Sequence, residues 1–187
     1  MNAAVGILLA AGSSRRFGAD KRWHRLADGT PMVLQSARRL AAACPNSVVV
    51  VRPDDAELVA LLAREGMRCV VSPMAEAGMG HSLAAGVAAT AAEGDGGWLV
   101  ALADMPFIAP ASYAAVLAAL AEGALFARPT FRTQFGHPVG FAAANRDALM
   151  RLTGDEGGRS IIARDPQALQ RCAVEDPGVL QDVDRAV

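Results

Sequence analysis

Short apolar runs alternate with stretches of helical hydrophobic spacing along the first two-thirds of the chain. The apolar runs at 4–9, 47–51, 68–71, 98–103 and 124–127 predict buried β-strands. The spacing over 31–43, 54–65, 79–93 and 111–122 predicts amphipathic or buried helices, the first with Thr30 as N-cap and Pro31 at the first helical position. Because strands and helices alternate with short links, the pattern predicts a mainly parallel sheet covered on both faces.

The alternation loosens after Pro129. A loop and a short strand are expected within 130–141, helices over 145–152 and 158–164, and a last strand over 168–174. The sequence has no internal repeat, no low-complexity linker and no break in composition. It therefore predicts a single α/β domain over residues 1–187, a Rossmann-like three-layer α/β/α arrangement.

Composition and charge exclude several function classes. The chain has 187 residues, a hydrophobic fraction of 52% and a net charge of −1, which does not suit a general nucleic-acid or membrane binder. No apolar run approaches the roughly 20 residues that span a bilayer, and the N-terminal segment lacks the basic leader of a signal peptide. Three widely spaced cysteines match neither a disulfide framework nor a zinc site. A cytoplasmic location is expected, and any anion site must be local.

The segment LLAAGSSRRFGADKR, residues 8–22, follows the first predicted strand and contains four arginines and lysines together with a run of small residues. It matches neither the P-loop nor the GxGxxG fingerprint. The small residues over 10–13 would let backbone N–H groups approach an anion, and Arg16 and Lys21 would neutralise phosphate oxygens. Arg15 and Arg22 are interpreted as surface residues. The alternative is a tight turn with a solvated basic surface.

Asp104 ends the strand predicted at 98–103 and carries a second indication of chemistry. Ligands of open α/β sheets collect at the carboxyl ends of the strands. A carboxylate at that position requires a cation, and Mg²⁺ is the cation expected beside a nucleoside triphosphate. A helix N-cap or a structural ion pair is the alternative interpretation of Asp104.

Six motifs in order resemble one known family. The segment LAAGSSRRFGADK is similar to the LAAGxSxRMGxxK signature of the MobA-like nucleotidyltransferases, in the branch of the molybdenum cofactor cytidylyltransferases. Phe17 replaces the methionine of that signature. The further matches are GMGHSLAAG from Gly78, LADMPFI from Leu102, GHPVGF from Gly136, GDEGGRSII from Gly154 and DVD from Asp182. DVDRAV departs from the usual DIDTPED, so the last match is the weakest.

The resemblance implies a reaction, its cofactor and its partners. The reaction joins CMP from CTP to the phosphate of molybdopterin bearing molybdenum and releases pyrophosphate. Mg²⁺ or Mn²⁺ would be the metal, and the product would pass to a recipient molybdoenzyme or its insertion chaperone. No nucleic acid or membrane is expected as a partner.

The resemblance also assigns roles to individual residues. The expected catalytic residues are Arg16, Lys21 and Asp104, with Asp184, or its neighbour Asp182, as a further carboxylate at the metal. The expected ligand-binding residues are Leu9, Ala10, Ala11, Gly12, Ser13, Ser14, Pro73, Gly78, Ser82, His137 and Asp155. Among these, His137 and Asp155 belong to the acceptor side. An equally good interpretation of His137 is that it shapes the loop before Pro138. The alternative for Asp155 is an ordinary turn residue, and for Asp182 or Asp184 a residue that caps or solvates a terminus.

Other functions remain open at this stage. The cytidylyl branch has Ala11 where guanylyl relatives have glycine, which favours CTP over GTP by resemblance alone. A sugar- or alcohol-phosphate cytidylyltransferase would keep the fold and change the acceptor. A NAD(P)-dependent oxidoreductase would need GxGxxG after the first strand and an acid after the second, where the sequence has VVVVRPDD. A non-catalytic cofactor carrier or insertion chaperone is the fourth hypothesis.

Overall fold

The predicted strands and helices form in the computed structural model, which describes residues 3–12, 20–155 and 157–183. The strands are β1 (Val5–Leu9), β2 (Ser47–Val51), β3 (Arg68–Val71), β4 (Trp98–Leu102), β5 (Phe126–Phe131), β6 (Gln134–Phe135), β7 (Val139–Phe141) and β8 (Leu169–Ala173). The helices are α1 (Met32–Ala43), α2 (Ala56–Arg64), α3 (Met79–Ala89), α4 (Pro110–Ala121), α5 (Arg146–Met150) and α6 (Arg159–Ile162). No helix of the described residues is long and apolar enough to cross a membrane.

One sheet contains all eight strands in the order β3-β2-β1-β4-β7-β5-β6, with β8 paired to β5. The pairs β3–β2, β2–β1, β1–β4 and β5–β8 are parallel, whereas β7 is antiparallel to both β4 and β5. The mainly parallel α/β fold predicted from the sequence is therefore confirmed. Its consequence for function is that β1 and β4 end side by side at one edge of the sheet.

The valine run of β2 shows why both faces of the sheet are covered. Val49 and Val51 belong to the core beneath α1, α2 and α4, while Val48 and Val50 belong to the core beneath α3, α5 and α6. Successive side chains of a strand point to opposite faces, so an unbroken apolar run requires two cores. The hydrophobic pattern thus determines the three layers.

Several predicted boundaries differ from the structure, and three of them have identifiable local reasons. Pro31 is itself the N-cap of α1 and Thr30 lies before it. The helix α3 ends at Ala89, four residues earlier than predicted, because the Thr90 hydroxyl donates to Gly86 O at 2.8 Å and accepts from the Trp98 indole at 3.0 Å.

The strand β5 is the third case. It begins at Phe126 instead of Ala124 and continues past Pro129 to Phe131. Pro129 fits within the strand because its carbonyl is the group that pairs there, accepting from Gly136 N at 2.9 Å.

Candidate functional site

The loop after β1 and the turn after β4 lie side by side at the carboxyl edge of the sheet. Leu9 pairs with Leu102 in the parallel register, and the next backbone contact is Ala103 N donating to Leu9 O at 3.1 Å. Ala10 and Ala11 are buried, and Gly12 is exposed at the start of the loop. The residues that the sequence assigns to phosphate binding therefore start directly beside Asp104.

Lys21 reaches across this edge to Asp104. Its Nζ lies 2.7 Å from Asp104 Oδ2, and the two side chains are 19% and 23% exposed. Lys21 opens a 3₁₀ turn over Lys21–Trp23. The two residues predicted to be catalytic, 83 positions apart in the sequence, thus meet as a partly solvated ion pair. The pair places the Lys21 ammonium, which has three N–H donors, next to the Asp104 carboxylate.

Arg22 is a residue that sequence reasoning placed wrongly at the surface. It is 3% exposed, and its guanidinium donates to Ala10 O at 2.8 Å, to Asp20 Oδ1 at 2.8 Å and to Asp55 Oδ1 at 2.6 Å. Further contacts to the same two carboxylates occupy the remaining N–H groups. All five donors are therefore used within the protein, and Arg22 has none left for a substrate.

A second arginine completes the group. Arg52 Nη2 donates to Asp20 Oδ2 at 2.9 Å and to Asp55 Oδ1 at 3.1 Å, and its backbone N–H donates to Asp55 Oδ2 at 2.8 Å. Two guanidiniums thus face two carboxylates, and we call these four residues the arginine–aspartate cluster. It joins Ala10, before the phosphate loop, to Asp20, after it, and attaches both to the end of β2. The sequence signal was the run RPDD directly after β2.

The glycines before α3 form the second part of the site. Gly78 has a φ of +124°, and a Cβ there would lie 2.3 Å from Gly154 O and 2.6 Å from Asp155 Oδ1. Gly80 N donates to Gly154 O at 2.7 Å. The segment around Gly78 and the segment around Asp155 therefore pack directly on each other, so that the Asp155 carboxylate lies next to the start of α3.

The side chains near the start of α3 include both predicted and missed residues. Ser82 is 4% exposed within α3, and Pro73 is exposed in the turn after β3. Ser72, which forms the predicted turn with Pro73 but was assigned no role, is fully buried, and its Oγ has no hydrogen-bond partner in the described residues. Ala11 packs in the same apolar cluster as Leu83 of α3, so the start of the loop after β1 and this helix belong to one hydrophobic core.

His137 lies near Asp104 and Arg128. Its backbone N–H donates to Val179 O at 2.9 Å, and its Nδ1 is buried without a partner among the described residues. Burial, together with the nearby charge of Arg128, lowers the pKa of His137 to about 4, although Asp104 acts in the opposite direction. His137 is therefore a neutral imidazole near neutral pH, placed within the electrostatic reach of both Arg128 and Asp104.

The segment around Val183 lies beside the turn that carries Asp104. Val183 N donates to Asp104 O at 2.9 Å, which sets the exposed Asp182 next to the turn that carries Asp104. In the described ranges no group of three or more His, Cys, Asp or Glu side chains could hold a metal ion. The predictions on Ser13, Ser14, Arg16 and Asp184 lie outside the described residues.

The comparisons with known proteins agree with this arrangement. The model of the MobA-like NTP transferase domain family matches residues 6–171. The chain is 30% identical to the purine catabolism protein PucB of Bacillus subtilis (strain 168) over 189 residues, covering 96% of this chain and 91% of the relative. It is 28% identical to the nicotine blue oxidoreductase of Paenarthrobacter nicotinovorans over 188 residues, with the same coverage of 96% and 91%.

A solved structure shares the fold throughout. Rv0371c from Mycobacterium tuberculosis H37Rv is 26% identical, with a TM-score of 0.82 and coverage of 98% of this chain and 93% of that one. A structure of Rv0371c described as a complex with manganese aligns with a TM-score of 0.76 at 22% identity, covering 92% and 89%. The likeness extends over the whole sheet and both layers of helices.

Proposed function

This chain belongs to the MobA-like NTP transferase family, and from that premise we propose that it is a nucleotidyltransferase that moves CMP from CTP to the phosphate of a molybdopterin-type acceptor. An oxygen of the acceptor phosphate attacks the α-phosphorus of CTP, the bond from that phosphorus to the β-phosphate oxygen breaks, and pyrophosphate leaves. The observation that carries the proposal is the Lys21–Asp104 pair, 2.7 Å apart, beside the small-residue loop at the carboxyl edge of the sheet.

Positioning and charge neutralisation supply most of the catalysis in such a transfer. Lys21 is paired with Asp104 in the protein alone and would turn its ammonium to the phosphate oxygens, where negative charge develops. Backbone N–H groups at Gly12 and in the loop after it would orient the leaving pyrophosphate, as in other small-residue phosphate loops. Arg22 would contribute only through Ala10 and Asp20, because its own donors are occupied.

The donor set at Asp104 fits Mg²⁺ or Mn²⁺. Mg²⁺ is usually held by one or two carboxylates together with substrate phosphates. Asp104 offers a partly exposed carboxylate, and the backbone contact of Val183 places the exposed Asp182 beside it. Asp104 would hold the metal, with Asp184 as the second carboxylate. When bound, the ion supplies positive charge to the triphosphate.

The proposed preference for CTP is supported by the packing of Ala11 in one apolar cluster with α3. Ala11 is 3% exposed and packs in one cluster with Leu83, on the helix that begins at the Gly78 turn. The base would lie between Pro73 and Ser82, at the positive end of α3. The Ala11 methyl group, where guanylyl relatives have glycine, narrows this space for a purine.

The oxidoreductase alternative is favoured by the name of one relative, and Asp55 argues against it. In dinucleotide-binding domains an acid at the end of the second strand binds a ribose hydroxyl. Asp55 occupies that end of β2, but its carboxylate accepts hydrogen bonds from both Arg22 and Arg52 and is 5% exposed. An engaged, buried carboxylate cannot also bind a ribose. Transfer to a sugar or alcohol phosphate, or from GTP, stays within the proposed reaction class.

The test exploits Lys21, which is the only lysine of the chain. Reductive ¹³C-methylation keeps its charge and gives one lysine NMR signal, distinct from the terminal amine. We expect CTP with Mg²⁺ to shift this signal more than GTP or NADPH, and pyrophosphate release to require CTP and the acceptor together. Lys21→Met and Asp104→Asn should each lower the rate at least about 100-fold.

Asp54→Asn is the matched control, since Asp54 is 81% exposed beside the same cluster and should keep full activity. A clear preference for GTP would overturn the assignment of CTP. NADPH as the nucleotide that shifts the Lys21 signal, with no response to any nucleoside triphosphate, would overturn the transferase.

A further inference from the structure

Arginines that form no ion pair with a carboxylate of the described residues gather on the acceptor side of the sheet. Arg128 of β5 and Arg171 of β8 are register partners in a parallel pair, so both side chains leave the same face of the sheet. Both guanidiniums lie against the ring of Phe135, at 5.3 Å and 5.0 Å from its centroid. Two positive charges therefore share one aromatic ring, next to the loop that carries His137.

A third arginine approaches from α6. Arg159 follows Gly158, whose backbone lies so close to the ring of Phe141 that a Cβ there would be 2.4 Å from it. This contact seats the start of α6 over β7, the neighbour of β5. Burial, together with the positive charge of Arg159, lowers the pKa of Arg128. The guanidiniums of Arg128 and Arg159 are thus close enough to repel each other.

No carboxylate of the described residues forms an ion pair with Arg128, Arg159 or Arg171. Arg146 of α5, by contrast, pairs with Asp95 at 3.2 Å. With a net charge of −1 the chain has acids enough for such pairing. Like charges held together without a counter-charge destabilise a fold, so the arrangement is explained by an anionic ligand.

The hydrogen bonds of Arg128 leave its terminal nitrogens available. Its Nε donates to Gly136 O at 3.2 Å, which fixes the guanidinium beside the backbone of the GHPVGF segment. His137 follows Gly136 immediately and lies within the electrostatic reach of Asp104. His137 thus lies between the Arg128 guanidinium and the edge of the sheet where the Lys21–Asp104 pair lies.

We propose that Arg128, flanked by Arg159 and Arg171, binds the phosphate monoester of the acceptor by a bidentate guanidinium contact and presents its oxygen to the nucleotide. This rests on the proposed function, in which that phosphate is the attacking group. A guanidinium matches the paired oxygens of a phosphate, which a lysine does not. Arg128 is a substrate-binding residue on the acceptor side, distinct from Lys21 and Asp104 on the nucleotide side.

The first experiment needs no acceptor and no turnover. Inorganic phosphate is titrated into the full-length Lys21→Met protein by calorimetry, because this background lacks one of the two cations assigned to the nucleotide site. We expect Arg128→Met and Arg159→Met to weaken phosphate binding about 10- to 100-fold, the effect of losing one charge-assisted contact. Arg128→Lys should give an intermediate loss. Arg132→Met is the control, since Arg132 lies 5.2 Å from the Phe131 ring but is exposed in the β5–β6 turn.

The second experiment uses the native Lys21 background and the complete reaction. Arg128→Met should raise the KM for the acceptor at least about 10-fold and leave the KM for CTP and the CTP-induced shift of the Lys21 signal unchanged. A melting curve confirms that each variant is folded. Unchanged phosphate binding in Arg128→Met, or an equal loss in Arg132→Met, would overturn the proposal. Absence of any CTP effect on Lys21 would instead refute the proposed function, and the phosphate titration would still decide the role of Arg128.

Discussion

Asp55→Asn tests the arginine–aspartate cluster with almost no change of shape. Arg22 is 3% exposed and the Asp55 side chain 5%, so neither charge is solvated, and each depends on the other for compensation. Removing the charge of Asp55 leaves one carboxylate, Asp20, facing two guanidiniums. Loss of one partner of a buried ion pair costs about 3–5 kcal/mol. Against a total stability of roughly 5–15 kcal/mol, the variant should fold but with a much smaller margin.

The assay is thermal and urea unfolding of Asp55→Asn beside Glu65→Gln. Glu65 accepts two bonds from Arg38, both at 2.9 Å, in a bidentate pair that is 46% and 30% exposed. Both carboxylates accept from an arginine, but the Asp55 carboxylate is buried and also accepts from Arg52, whereas Glu65 is partly exposed and accepts from Arg38 alone. We expect the midpoint to fall by about 6–20 °C for Asp55→Asn and to change little for Glu65→Gln. Equal shifts in the two variants would refute the reasoning from burial.

Three further predictions concern the rest of the site. Gly78→Ala should lower both the melting temperature and the affinity for CTP, because Gly78 has a φ of +124° and the new Cβ would lie 2.3 Å from the Gly154 carbonyl oxygen. The control is Gly123→Ala, which also has a positive φ but open space around the new Cβ. This control should lower the melting temperature alone. Because the folded-state pKa of His137 is lowered to about 4 from the ordinary 6.5, the unfolded chain takes up its proton first as pH falls. Unfolding free energy should therefore drop by about 2 kcal/mol between pH 7 and pH 5, a loss that His137→Gln removes; a slope that survives in His137→Gln would contradict it. Phosphate at saturating concentrations should raise the melting temperature of the Lys21→Met protein and leave that of the Lys21→Met/Arg128→Met double variant unchanged.

The inner strands β1, β2 and β4 could be predicted from the sequence because they are buried on both faces of the sheet. The runs at 47–51 and 68–71 give the strands β2 and β3 with the predicted bounds. The position of the site at the strand ends followed from the parallel order of the sheet. Lys21 and Asp104 could be chosen separately on chemical grounds, but only the pairing of β1 with β4 shows that their side chains meet.

Other features could not be predicted from local patterns. Arg22 looked like surface charge because its partner Asp55 is 33 residues away and the hydrophobic pattern carries no information on such a contact. The pairing of Arg128 with Arg171 depends in the same way on the register between β5 and β8. Long-range polar contacts are set by topology, so a sequence pattern can name the residue types and miss their partners.

The central position of β1 has a consequence for how the protein is made. Its two neighbours are β2, which follows within about 40 residues, and β4, in which Trp98 pairs with Val5 more than 90 residues later. During translation at about 5–20 residues per second, one hydrogen-bonding edge of the wholly apolar strand VGILL would wait several seconds for its partner. An unpaired, apolar strand edge is a template for association with other chains. Yield on overexpression should therefore depend on the interval between these two strands, and slower elongation before β4 should increase the aggregated fraction.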